Sequence, residues 1–477
     1  MSSIAKVKLS ILKKISHSVD VATLKRSRSV MDRIVKLNSR VNSSLWADTD
    51  EKFKGKALSQ NCDFDVAIIG GGFSGLWSAF HLNKLDPSLR IAVFEAREIG
   101  FGASGRNGGW ASSEYPVSRK TLERKIGKSK TGQLFTALSQ SIDEIGKFAN
   151  RNAPKAGFRK SGSLYFARNG GQLNRLKGKI DGGDWLTKGE VGELIGVAGV
   201  LGGRFNPECA TVQPFQLLQG LAKYLSKRRI SIFTESWASR APSGVLVNSF
   251  SVRAPVVIQA TEVYGERNRE FIPLYSLMVA TEPLSNSIWR QIGNRDRFTF
   301  AENAHVINYA QRTIDNRLAI GGRGANTPFG SKLDNAKEVS GKVHNRLINL
   351  AKSWFPVLEN SDFTHRWGGA VAITRDWEPY LQFDREIGFG RLGGYAGDGV
   401  TMSYLSGKIM AYEVLDERSE LRKLHYVNRK VKRWEPEPIR YLAVNGLISL
   451  STAADREEEL THRSSWLNRV IEPVILR

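Results

Sequence analysis

Two cysteines in 477 residues, Cys62 and Cys209, leave no material for a disulfide framework or a cysteine-based metal cluster. That scarcity fits a reducing compartment. No run of about 18 apolar residues occurs, so no transmembrane helix is expected. Internal repeats and long low-complexity tracts are also missing. Acids are in short supply: 47 against 70 Lys and Arg, for a formal net charge of +23. Residues 1–43 hold ten of the basic residues and two acids. The rest of the excess is spread along the chain, which favours a solvated surface over nucleic acid or an anionic membrane as its explanation. Residues 1–43 have no apolar stretch followed by a cleavage site, so a secretory signal is not expected. Their basic, hydroxyl-rich composition suits an organellar transit peptide, a surface helix or an extension ahead of a start at Met31. A cytoplasmic location is expected, with organellar import through this segment as the alternative.

What the chain does have is concentrated between Phe64 and Gly109. A β-branched run, Phe64 to Ile69, reads as a buried parallel strand. Gly70, Gly72 and Gly75 follow in G-x-G-x-x-G spacing and open a helical stretch that stops near Asp86-Pro87. A second strand, Ile91 to Phe94, ends in Glu95, twenty residues beyond Gly75. Each part has a task at a dinucleotide: Gly70 for the turn, Gly72 for close approach of a pyrophosphate, Gly75 for helix–sheet packing. The helix N-terminus attracts the phosphates, and Glu95 can accept from ribose hydroxyls. The acid favours an unphosphorylated ribose, hence NAD or FAD rather than NADP. A second glycine-rich loop, Gly100 to Gly109, favours FAD, whose ribityl chain and ring continue past the pyrophosphate.

Further along, Lys120 to Asn150, Gln213 to Ser226, Val339 to Phe355 and Thr401 to Leu415 have helical spacing, and Gly202 to Thr211 reads as a turn-rich return. Gly162 to Ala167, Ile230 to Phe233, Val245 to Val247, Pro255 to Ala260 and Phe389 to Tyr395 read as strands. So do Met278 to Pro283, Val306 to Gln311 and Arg317 to Gly322, forming a second sheet.

Five stretches carry a resemblance: SLWADT (Ser44 to Thr49), the fingerprint with GFGASGRNGGW (Gly100 to Trp110), RTIDNRLAIGGRG (Arg312 to Gly324), WGG (Trp367 to Gly369) and GGYAGDGVTMSYLSGK (Gly393 to Lys408). Together they resemble the D-amino-acid-oxidase-type FAD superfamily, in its bacterial branch of glycine-oxidase-like and gamma-glutamylputrescine-oxidase-like enzymes. The resemblance implies an α/β fold: a discontinuous Rossmann-like FAD-binding domain (44–115, 205–270 and 365–417) with an inserted, mainly antiparallel α+β substrate domain (116–204 and 271–364). Residues 1–43 would be a basic appendage and 418–477 a helical C-terminal extension.

The expected cofactor set is Gly70, Gly72, Phe73, Ser74, Gly75, Glu95 and Ala96 in the fingerprint, and Ser104, Arg106, Asn107, Gly108 and Gly109 in the loop. Ala260 and Thr261 add a strand end on the adenosine side; Gly394, Gly397, Asp398, Gly399 and Val400 precede a helix aimed at the flavin pyrimidine. Such a helix end stabilises anionic reduced flavin. Asp398 departs from several relatives there, and a carboxylate beside the ring would oppose that charge. Neither loop contains the Cys or His that some relatives use for covalent attachment, so non-covalent FAD is expected.

The reaction implied is oxidation of an amine or amino acid: hydride passes from the C–N carbon to flavin N5, and water hydrolyses the imine. Molecular oxygen is the expected oxidant. Trp110, Tyr309, Trp367 and Tyr395 are the candidates for the catalytic pocket, either as walls or to orient the amine. Arg312, Arg317 and Arg323 are candidate carboxylate forks, Arg375-Asp376 resembles a family element near the flavin, and His305 is read as structural. No metal site is expected. The alternatives are a dehydrogenase using another acceptor, a tRNA-associated flavoprotein without a recognisable RNA module, and a flavoprotein with a structural role only. Oligomeric state is not legible.

Overall fold

The computed structural model describes residues 44–49, 51–178, 183–265 and 269–468; the expectations for residues 1–43 lie outside them. Six strands form the first sheet: β1 (Val66–Ile69), β2 (Ile91–Phe94), β3 (Ser231–Phe233), β4 (Val256–Gln259), β5 (Tyr380–Asp384) and β6 (Phe389–Gly393). Their order is β3-β2-β1-β4-β6-β5, with every pair parallel except β6 and β5. β1 and β2 are buried at every position, as their unbroken apolar runs require of a sheet covered on both faces.

Helices α1 (Phe73–Leu85), α2 (Lys128–Asn152), α3 (Pro214–Ser226) and α4 (Gly399–Leu415) share one apolar core with this sheet. α1 and α4 cross closely: a Cβ on Gly407 would stand 2.8 Å from the Ser78 amide nitrogen. The helix expected over Lys120 to Asn150 is two helices, parted at Gly127, whose φ of 85° no ordinary helical residue adopts.

The second sheet has eight strands, mostly antiparallel, with Phe271–Thr281 and Phe363–Thr374 paired along almost their whole length. Only Ser163–Ala167 and Thr299–Glu302 pair in parallel. Helix Gly341–Trp354 packs on this sheet in a separate core. Two boundaries differ from expectation. Phe363–Thr374 belongs to the second sheet, so the last cofactor-domain piece begins after Thr374 rather than at 365. Gly202 to Thr211 is not merely a return; Gly202–Asn206 joins the second sheet and Cys209–Thr211 pairs with Trp110–Ser112. Beyond α4 the extension lays α5 (Ile439–Thr461) against the second domain. No described helix is long and apolar enough to cross a membrane.

Candidate active site

The fingerprint is built around two glycines. Gly70 leaves β1 at φ 110°, and a Cβ there would stand 2.5 Å from the Ala260 carbonyl oxygen. A Cβ on Gly75 would lie 2.0 Å from the Gly70 oxygen, so only glycine lets α1 sit this close to the strand end. Gly72 caps α1 without a side chain, leaving first-turn N–H groups for an anion. Ser104 reaches across from the second loop and accepts from the Phe73 amide at 3.0 Å. Glu95 accepts from the Gly71 amide at 2.8 Å and the Arg97 amide at 2.9 Å. Burial raises its pKa, opposed by these two bonds. Ala96 is half-buried beside it, Ala260 is bonded to the Ile69 carbonyl, and Thr261 accepts from the Gln259 amide group.

The second loop is held from behind. Ser44 donates to the Gly105 carbonyl at 3.0 Å and Trp46 Nε1 to the Asn107 carbonyl at 2.8 Å, which gives the SLWADT segment its role. Asn107 spends its side chain on the Ala103 and Ser104 carbonyls and the Gly109 amide. Arg106 donates to Glu338 at 2.9 Å, and both side chains are nearly buried. Burial raises the Glu338 pKa, with Arg106 opposing. Asn107 thus orders the loop through bonds within it, and Arg106 ties it to the second domain. Trp367 is wholly buried and donates to the Arg106 carbonyl at 2.9 Å, edge-on to Trp46. Its place as a pocket wall is therefore corrected: it stands behind the loop, because its strand faces inward there.

Ahead of α4, Glu262 does what no motif announced. One carboxylate oxygen accepts from the Gly394 amide at 2.9 Å and the other from the Ala372 amide at 2.9 Å. Burial raises its pKa and the backbone bonds oppose it. This carboxylate joins the loop before α4 to the second sheet. The only local signal was an acid directly after a strand end, and its partners lie more than a hundred residues away. Gly397 has φ 109° in this loop, and Asp398 caps α4 without a side-chain bond to its first turn. Gly399 opens α4 and Val400 is buried beside it. Tyr395 is buried, its hydroxyl 2.9 Å from Ser74 Oγ, and burial pushes its pKa far up. It pins α1 to the α4 loop instead of facing the cavity.

Between these loops and the second domain lies a cavity of about 1440 Å³. Arg106, Asn107 and Gly108 reach it from one loop, and Gly397, Asp398 and Val400 from the other. Trp110 and Tyr309 line it, their rings 6.3 Å apart, with Tyr165 6.2 Å beyond Trp110. Tyr309 shares a 2.8 Å hydrogen bond with Ser276. Burial raises its pKa, so the phenol keeps its proton at neutral pH.

Of the arginines, Arg323 lines the cavity and donates to the Ala396 carbonyl at 2.6 Å. Arg312 bonds Asn316 and Arg317 bonds Asp315, both outside the cavity lining. Arg375 pairs with Glu435 and Asp376 with Arg429, so this dipeptide ties the C-terminal extension down. His305, Asp455 and Glu458 gather where α5 docks, and they come within the reach of a single ion. Their atoms already serve as bonds: Asp455 accepts from the His305 and Val306 amides, and Glu458 pairs with Arg175.

Two glycine-rich loops at two helix N-termini, an acid at the end of β2 and a cavity beyond them match a two-part flavin nucleotide: the residues present fit FAD. Fold and site thus define a flavin-dependent oxidoreductase. A family model described as DAO, FAD dependent oxidoreductase, matches residues 65–413, and the chain belongs to that family. FAD is its cofactor. The chain is 26% identical over 391 residues to gamma-glutamylputrescine oxidoreductase of Escherichia coli, covering 77% of this chain and 88% of that one. Against glycine oxidase of Geobacillus kaustophilus it is 24% identical over 366 residues, covering 73% and 92%. The crystal structure of that glycine oxidase superposes with a TM-score of 0.62 at 20% identity, over 77% of this chain and 99% of the other. L-proline dehydrogenase from P. horikoshii gives 0.61 at 17% identity, over 78% and 98%. These likenesses establish the fold.

Proposed function

We propose that this protein oxidises the C–N bond of an amine or amino acid and passes the electrons to molecular oxygen. The observation that carries the reading is the single cavity shared by both glycine-rich loops and the Trp110–Tyr165–Tyr309 wall. Gamma-glutamylputrescine oxidoreductase and glycine oxidase, both relatives over most of their length, support the substrate class.

The α1 N-terminus and Glu95 would hold the adenosine diphosphate portion, and the α4 N-terminus the ring. Bound FAD, held non-covalently, supplies the two-electron acceptor. The protein's share is positioning and exclusion of water. Glu262 fixes the loop ahead of α4, the aromatic wall orients the substrate, and the Tyr309 hydroxyl offers a neutral donor or acceptor beside it. The substrate loses a hydride and a proton, and water hydrolyses the resulting imine to a carbonyl compound and a free amine.

The test is product analysis with purified protein and a panel of amines. Equimolar carbonyl, trapped as a hydrazone, and hydrogen peroxide support the reading. Carbonyl formed only when an artificial acceptor replaces oxygen would overturn the oxidase assignment. No carbonyl from any amine would overturn the substrate class.

A further inference from the structure

Helix α5 lies beyond residue 413, where the family match ends, yet it forms part of the active-site cavity. Ile439, Ala443, Val444, Leu447, Ile448 and Ser451 all line it. These positions recur at intervals of about one helical turn, so they form a single face of α5. Five of the six are apolar. Opposite stand Ile272, Leu274, Val371 and Ile373 of the two long paired strands. Trp434 seals one end: it is buried, donates Nε1 to the Ile373 carbonyl at 2.9 Å, and clusters with Ile272, Leu274 and Ala396. Ala396 belongs to the loop ahead of α4, so this apolar zone runs right up to the cofactor loops.

The roof is fastened at both ends. Near its start, the Thr327 amide donates to Asn445 at 2.9 Å, Asn445 returns a bond to the Thr327 carbonyl, and Glu437 accepts from the Gly330 amide at 2.9 Å. Near its end, Asp455 accepts from the His305 amide at 2.7 Å and the Val306 amide at 2.8 Å. Three docked polar side chains, those of Glu437, Asn445 and Asp455, hold α5 in place; Val444 and Ile448 pack at their edges on the Ile272, Leu274 and Ile373 cluster, and the apolar face also lines the cavity. An apolar face that is partly packed and partly lines a cavity is a wall suited to an apolar ligand.

We infer that the α5 face, with Val444, Leu447 and Ile448 at its centre, determines specificity for an amine carrying an extended apolar group. The amine end sits at the Trp110–Tyr309 wall and the apolar group runs under α5. The flavin held by the two loops would take part of the 1440 Å³ cavity, and a glycine-sized substrate has no group to reach the α5 face beyond it. This inference rests on the proposed amine oxidation for the substrate's reactive end, and on the wall alone for its tail.

The test uses the full-length FAD-loaded protein and straight-chain primary amines from ethylamine to decylamine, with glycine and sarcosine for comparison. Dissociation constants come from perturbation of the flavin absorbance under anaerobic conditions, and kcat/KM from peroxide formation. Affinity is expected to rise about 3- to 4-fold per added methylene. A flat or falling series, or preference for glycine or sarcosine, overturns the inference. Tighter binding with length but no flavin bleaching by any amine would sink the proposed reaction and leave the apolar wall standing. In Leu447→Asp the ratio of kcat/KM for the longest to the shortest amine should fall at least about tenfold, chiefly through KM, with Leu447→Met restoring it. Flavin content and melting temperature report whether Leu447→Asp folds; if it does not, the wild-type series decides alone.

Discussion

Gly75 and Glu262 carry the cofactor site in opposite ways, one by having no side chain and one by having a buried charged one. Gly75→Ala puts a methyl group 2.0 Å from the Gly70 oxygen, which only a shift of α1 or β1 can relieve. It should cost about 1–3 kcal/mol of stability and weaken FAD binding by roughly tenfold or more, measured by thermal denaturation and by titration of the apoprotein with FAD. An unchanged FAD affinity would show that the turn has slack. Glu262→Gln keeps one carbonyl oxygen but turns an N–H2 group toward a backbone N–H, losing at least one bond. A loss of about 1–3 kcal/mol is expected, with the FAD dissociation constant rising while the affinity for free ADP stays closer to wild type. Equal losses for both ligands would place Glu262's influence on the whole domain rather than on the α4 loop. The glycine was legible in sequence because its constraint is local. The acid was not, because Ala372 and Gly394 reach it only through the tertiary fold.

At the scale of elements, strand–turn–helix–strand units were legible and assembled pieces were not. β1, α1 and β2 follow the hydrophobic pattern of a segment that folds on its near neighbours. Phe363–Thr374 was split from its sheet because pairing with Phe271–Thr281 spans almost a hundred residues and leaves no mark in either sequence. The second loop was read as a ligand cradle, whereas Asn107 spends its side chain within the loop and Arg106 and Trp367 tie it to the second domain. Docking of α5 supplies a prediction with a sign. Burial alone would raise the Glu458 pKa, but His305 and Arg175 outweigh it and hold the carboxyl at about 2 against 4.5 unperturbed. Arg175, His305 and Asp455 are the titratable and charged groups packed around it. A depressed acid stabilises the fold above its unfolded pKa and loses that contribution as pH falls toward the folded value. About 3 kcal/mol should therefore vanish between pH 4.5 and 2. Glu458→Gln should flatten that acid limb in tryptophan-fluorescence denaturation and raise proteolytic cleavage near α5 at neutral pH. An acid limb identical to wild type would mean that Glu458 is not coupled to folding.

For the whole molecule, two domains share one cavity, and each contributes what the other lacks. The first sheet brings nucleotide-binding helix ends and the second brings Tyr165 and Tyr309, while Trp110 comes from the short strand paired with Cys209–Thr211. At the cavity Arg106, Arg175 and Arg375 meet carboxylates, whereas Arg204 and Arg323 donate to the Gly183 and Ala396 carbonyls. The central claim, an FAD enzyme that takes electrons from amines, is tested most directly by the visible absorption spectrum of the purified protein. It should be recorded under anaerobic conditions before and after addition of pooled amines and amino acids. The account predicts a flavin spectrum that bleaches on addition and returns when oxygen is admitted. A protein that shows no flavin even after reconstitution with FAD, or a flavin that the whole pool leaves unchanged, would contradict it.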